Sequence, residues 1–233
     1  MRKTKKIQEE VIDNKKVRFS DALWASPIQH IVVGGAGGIG SYVAFFLSRI
    51  GHALYLYDMD VIDETNMGGQ LYTIKQIGLN KAEAMKDSLT DFTGATNITT
   101  FQQYTEEDGL TSPIMFSCFD NMLARKLMFE KWCLLPDREV FIDGRNLAEV
   151  GNVFVVQKGQ EEEYRKYLYD DSEVQDAPCS FKSTSHCSAL IASLMVSGMN
   201  NYLTNKKAGF NDRVVPFKTD FELPIFSIRP VEL

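Results

Sequence analysis

Ile31-Val32-Val33-Gly34-Gly35-Ala36-Gly37-Gly38-Ile39-Gly40 is an apolar run feeding a glycine-rich turn, and its reading decides the fold. Ile31, Val32 and Val33 are β-branched and apolar, as a parallel strand buried on both faces requires. Gly35 to Gly40 fits the pattern G-x-G-x-x-G. Val43, Phe46, Leu47 and Ile50 then recur at i, i+3, i+4 and i+7, so the glycines lie between a strand and a helix that Gly51 ends. In that setting Gly35, Ala36, Gly37, Gly38 and Gly40 let the backbone turn tightly and approach a phosphate closely. The unpaired N–H groups of the helix start add donors and partial positive charge.

Outward from the turn, Ala53 to Tyr57 reads as a second strand ending in Asp58, 23 positions past Gly35. That is near the spacing at which an acidic side chain reaches a ribose hydroxyl. The turn plus Asp58 alone would serve an NAD-dependent oxidoreductase equally well. Asp60, Asp63 and Glu64 follow in a loop, then Asn66-Met67-Gly68-Gly69-Gln70. Asn80 reads as the N-cap of a helix with Ala82, Met85, Leu89 and Phe92 on its apolar face. Lys81 lies in its first turn, where a cation is electrostatically unfavourable. It reads either as the partner of a nearby anion or as a lysine snorkelling to the surface.

Ile98 to Gln102 gives a third strand and Pro113 to Phe119 a fourth, continuous and apolar as a central parallel strand should be. Asp120 at its carboxyl end either faces the crevice shared with Asp58 and the glycine turn or caps the helix beginning at Asn121. Val140 to Asp143 is another strand, and Gly151 to Gln157 one that turns back antiparallel. The acidic, tyrosine-bearing stretch from Lys158 to Asp176 reads as a mobile connection or short surface helix. From Ser183 a helical pattern returns, with Leu190, Ile191, Leu194, Met195, Met199, Tyr202 and Leu203 on one face and Gly209 beyond its end. Val214 to Phe217 and Leu223 to Ile228 read as closing strands that Pro216, Pro224 and Pro230 confine to edges.

The fold class expected is α/β: a Rossmann-like, doubly wound, mostly parallel sheet with helices on both faces and antiparallel edge strands. Residues 25–233 form one domain, and residues 1–24 form an arm that is either a solvated tail or docks on a neighbouring subunit. The 233 residues are 44% hydrophobic and carry a net charge of -6, which argues against nucleic acid or an anionic membrane as partner. Met1 to Lys16 has no apolar h-region, and no run of about 18 apolar residues appears, so a cytoplasmic protein is expected. Cys118, Cys133, Cys179 and Cys187 form no C-x-x-C pair, so no zinc is expected. Cys187 falls in the first turn of the last long helix, where the dipole can lower a thiol pKa.

The glycine turn, Asp58-Met59-Asp60, Asn66 through Gln70, Gly78-Leu79-Asn80-Lys81 and Phe119-Asp120-Asn121 together closely resemble the ThiF/MoeB/ubiquitin-activating enzyme family. The resemblance covers Ile31 to Val156 closely and the last third loosely. It implies ATP- and magnesium-dependent adenylation of a carboxylate, usually the C-terminal glycine of a ubiquitin-like or small carrier protein or peptide. By position, Asp58 would hold the ribose, Lys81 the phosphates and Asp120 the Mg2+ ion, with Asp60, Asn66 and Gln70 lining the nucleotide site. It further implies a homodimer in which Arg18 of the arm reaches the neighbouring nucleotide site. Cys179, in Pro178-Cys179-Ser180, looks like the cysteine to which relatives pass the acyl group. Two departures stand out. Gly69 occupies the arginine position of the family's Asn-x-x-Arg-Gln pattern, and the two C-x-x-C pairs of many relatives are missing. The first departure opens a rival reading, a binding or scaffold protein that has kept the fold.

Overall fold

A computed structural model of the chain describes residues 19–169, 184–231 and 233. Their strands form one eight-stranded sheet of order β3-β2-β1-β4-β5-β6-β7-β8. The parallel part comprises β1 (His30–Gly34), β2 (Ala53–Tyr57), β3 (Ile98–Phe101), β4 (Ile114–Ser117) and β5 (Val140–Leu147). β6 (Val150–Gln157), β7 (Lys218–Glu222) and β8 (Ser227–Val231) continue it antiparallel. The order reverses at β1: the chain leaves it first towards β2 and β3, then returns to lay β4 on its other side. This switch point leaves a crevice at the carboxyl ends of β1 and β4, the usual place for a ligand in such sheets.

Burial on both faces explains the unbroken apolar strands. On one face α1 (Gly38–Ile50), α2 (Lys81–Thr93) and α5 (Ser185–Ala208) cover Ile31, Val33, Leu54, Leu56, Phe116, Ile142 and Val155. On the other, α3 (Met122–Cys133) and the short α4 (Glu161–Arg165) bring Met128, Phe129, Trp132 and Tyr164 onto Val32, Met115, Phe141 and Phe154. Left-handed glycines stop three helices, at Gly51, Gly94 and Gly209.

Several expectations need correction. Val214 to Phe217 is not a strand; Asn201 and Asn205 hold its approach by accepting from or donating to residues 212–214. Leu223–Ile225 is a single 3-10 turn with Pro224 near its start, and only after Phe226 does β8 begin. Pro230 does lie on the outermost strand, where no neighbour needs its missing N–H. Phe92 is 48% exposed rather than core, its ring edge-on to Phe45. The stretch after Lys158 does carry the short helix α4, with Glu162 and Lys166 exposed, but its Tyr164 is fully buried among Phe129, Phe141 and Phe154. No described helix is long and apolar enough to cross a membrane.

Candidate functional site

The register places Gly34 opposite Tyr57 on one side and Ser117 on the other, and Ser117 opposite Asp143. The residues that follow these strand ends therefore meet at one edge. Gly35 has φ +90, and a Cβ there would lie 2.7 Å from the Cys118 carbonyl oxygen. Gly40 is tighter still, its Cβ falling 1.8 Å from the Gly35 carbonyl oxygen, so the first helical turn packs on the loop backbone. Gly37 faces open space as the N-cap of α1, with no side-chain cap and no acidic residue in the first turn. The N–H groups of that helix start are left for an anion.

Asp58 holds the turn from the neighbouring strand. Its Oδ2 accepts from the Ala36 N–H at 2.7 Å and its Oδ1 from the Asp60 N–H at 2.9 Å. Burial raises its pKa, opposed by those two hydrogen bonds and the Lys81 charge. The carboxylate has lone pairs left for ligand hydroxyls. Asn80 caps α2 by accepting from the Glu83 N–H at 3.2 Å, while its amide donates to the carbonyls of Asp58 and Asp60. This fixes Lys81, which is buried rather than snorkelling and ion-paired to Asp60 at 2.8 Å.

Tyr72 ties the two halves together and carried no signal in the sequence. Its hydroxyl donates to the Ala36 carbonyl at 2.7 Å and lies 3.1 Å from the Lys81 carbonyl. Leu71 adds a second strap, its N–H donating to Ser41 Oγ of α1 at 3.1 Å. Beside them Gln70 Oε1 is buried without a hydrogen-bond partner, an acceptor that a ligand donor would satisfy. Asn66 is drawn into local structure instead: its side chain accepts from the Asp63 N–H in the capping box of the turn Glu64–Gly68.

Asp120 is exposed just past β4, and Asn121 accepts from the Ala124 N–H at the start of α3. No group of three His, Cys, Asp or Glu side chains able to hold a metal exists among the described residues. One exposed carboxylate suits a magnesium ion whose other ligands are phosphate oxygens and water. Two further residues, Arg125 and Asp143, form a buried ion pair behind Asp120 that sequence reading did not single out. Asp143 is a carboxylate directly after the apolar run Val140-Phe141-Ile142, which was the available signal.

The helix dipole does not lower the Cys187 thiol pKa. The thiol is buried, and burial with the nearby Glu149 charge pushes its pKa up to about 11, against the lowering expected of a helix start. Arg18 and Cys179 lie outside the described residues.

Residues 25–230 match the ThiF family. Over 149 residues the chain is 31% identical to ubiquitin-like modifier-activating enzyme 5 of Caenorhabditis elegans, covering 53% of this chain and 36% of that enzyme. The chain thus spans about a third of the length of that curated relative. Among solved structures it resembles Escherichia coli MccB with ATP, with TM-score 0.67 and 17% identity over 90% of this chain and 66% of that one. It also resembles the E. coli tRNA N6-threonylcarbamoyladenosine dehydratase TcdA, with TM-score 0.64 and 19% identity over 86% and 96%.

Proposed function

This chain belongs to the ThiF family of E1-like adenylating enzymes, and from that premise we propose that it binds ATP with magnesium and adenylates the C-terminal carboxylate of a small ubiquitin-like or carrier protein or peptide. The observation that carries the reading is the lacing of three elements at one sheet edge: Asp58 to the glycine turn, Asp60 to Lys81, and Tyr72 to both. The uncapped start of α1 supplies N–H donors for phosphate, Asp58 acceptors for ribose, and Lys81 a cation beside them.

A C-terminal carboxylate is already ionised at neutral pH, so no general base is needed. Its oxygen attacks the α-phosphorus, and the bond to the bridging oxygen breaks as pyrophosphate leaves with that electron pair. Magnesium, when bound, neutralises charge that builds on the leaving group. The protein's part is positioning and electrostatic complementarity. Arg18, lent by the partner copy in a homodimer, stands in for the arginine that Gly69 replaces. In a second step the Cys179 thiolate attacks the acyl carbon, forming a thioester as the acyl–phosphate C–O bond breaks and AMP leaves with that electron pair.

The test is substrate-dependent pyrophosphate release by the wild type and by Asp120→Asn. Copurified small proteins ending in Gly-Gly, found by mass spectrometry, serve as substrates. The exposed Asp120 can lose its charge at little cost to the fold, so release should collapse while the unliganded melting temperature holds. Full activity in Asp120→Asn would remove its metal role. Gly69 favours one other reading, a non-catalytic binding protein, and a wild type that binds such a partner yet releases no pyrophosphate would select it.

A further inference from the structure

Asp143 is the one buried acidic side chain among the described residues, and the adenylation chemistry above makes no use of it. An unpaired carboxylate at such a place is strongly destabilising. Three side chains therefore converge on it. Arg145 of β5 donates through Nε to Oδ2 at 2.6 Å, and Tyr164 of α4 donates its hydroxyl to the same oxygen at 2.8 Å. Arg125 of α3 brings its Nε to 2.9 Å from Oδ1, an ion pair off the hydrogen-bond line.

The two arginines then reach onward in different directions. Arg125 donates its Nη2 to the Phe119 carbonyl, the last peptide group before Asp120. Arg145 donates Nη1 to the Tyr167 carbonyl at 2.8 Å, far along the chain from that connection. Gly34, at the end of β1, packs on the same connection. A Cβ on Gly34 would come within 2.3 Å of the Phe119 ring, and the Cys118 N–H donates to the Gly34 carbonyl at 2.7 Å. The link from β4 to α3 is thus contacted by both the end of β1 and Arg125, and Arg125 is held by Asp143.

We propose that Asp143 is a positioning residue for Asp120, acting through Arg125 and the Phe119 carbonyl. It sets the spacing between the Asp120 carboxylate and the phosphate-binding turn, so that both engage one magnesium–triphosphate unit. The inference rests on the reading of Asp120 given above. Arg145 and Tyr164 neutralise and brace Asp143 without reaching the Asp120 connection, so only the Arg125 arm carries the effect.

Calorimetric titration with ATP, in magnesium and in EDTA, gives the gain in affinity that the cation confers. Asp143→Asn and Arg125→Met should each cut that gain about tenfold, the usual effect of losing an outer-shell partner, with EDTA affinity within about twofold of wild type. Arg145→Met should leave the gain intact, although it lowers the melting temperature as much. If Asp143→Asn fails to fold, the two arginine variants decide alone, since each leaves Asp143 one guanidinium. An unchanged gain in Arg125→Met, or an equal loss in Arg145→Met, overturns the proposal. Asp120→Ala separates the two readings: the same gain as wild type would remove Asp120 from the cation site, and the positioning role would fall with it. A gain lost in Asp120→Ala but kept in Arg125→Met would sink the positioning role alone.

Discussion

Tyr72→Phe deletes one oxygen atom, and the structure allows its cost to be worked out. The hydroxyl proton goes to the Ala36 carbonyl at 2.7 Å, while the Lys81 carbonyl at 3.1 Å receives at most the weaker branch. Burial and the nearby Asp58 and Asp60 charges push the Tyr72 pKa upward, so the hydroxyl remains a donor at every working pH. The lost hydrogen bond is worth about 1 kcal/mol net, and the buried Ala36 carbonyl left unpaired adds about as much, for a total of about 2 kcal/mol. In a chain of this size each kcal/mol moves the melting temperature by about 2–4 °C, so a fall of about 4–8 °C is expected. Binding should suffer as well. Asp58 orients the peptide before Ala36 and Tyr72 the one after it, so losing the second anchor lets the phosphate-binding N–H groups wander. An affinity loss of about tenfold for ATP, equivalent to about 1.4 kcal/mol, is expected by isothermal titration calorimetry. Unchanged melting together with unchanged ATP affinity would refute the tether.

Two further outcomes follow from the site. Burial raises the Asp58 pKa above the ordinary 3.8, and it is the charged form that accepts from the turn and from ribose. ATP affinity should therefore fall as pH drops through that raised value, sooner than for an exposed carboxylate, and Asp58→Asn should flatten this dependence; a wild-type curve that is flat to pH 4 would contradict it. The Cys187 thiol, held near 11, should resist iodoacetamide at neutral pH, and Cys187→Ala should keep acyl transfer while Cys179→Ala loses it, as read by a reducible conjugate on a gel. A conjugate that depends on Cys187 would reverse that assignment.

The centre of this fold is legible in the sequence because its signals are local and physically forced. β1 and β4 are buried on both faces, so their composition is uniform, and the glycine turn between β1 and α1 admits no side chain at Gly35 or Gly40. The end of β2 shows through Asp58 because the acidic residue must sit a fixed distance past the turn. The rest depends on contacts between distant segments. Tyr164 is core only because Phe129 and Phe154 come to it from other elements. Phe92 has the spacing of a core residue, yet it lies half exposed, edge-on to Phe45. The closing strands lie at an edge, one face half solvated, so their pattern weakens and a prolyl turn replaces the expected run. Which charges face each other, Asp143 with Arg125 and Arg145 above all, is a three-dimensional fact with no sequence period.

Charge at the strand edge links Gly69 to the rest. Asp58 and Asp60 stand beside the turn, with Asp120 beyond the end of β4, and the lysine among them is already committed to Asp60 at 2.8 Å. Arg125 and Arg145 point to Asp143 and to backbone carbonyls, away from this role. A free triphosphate brought to three carboxylates and one shared lysine meets repulsion that an arginine at position 69 would have offset. Gln70 Oε1, buried and unpartnered beside Gly69, accepts hydrogen bonds but cannot neutralise charge. The described residues of the site thus offer acceptors for hydroxyls and N–H donors for oxygens, but little positive charge. Under the proposed function, the cation comes with the ligand, as magnesium, or from a second copy of the chain. Under that proposal, glycine at position 69 makes nucleotide binding more dependent on the cation and on dimerisation, and leaves the turn from Gly35 to Gly40 intact.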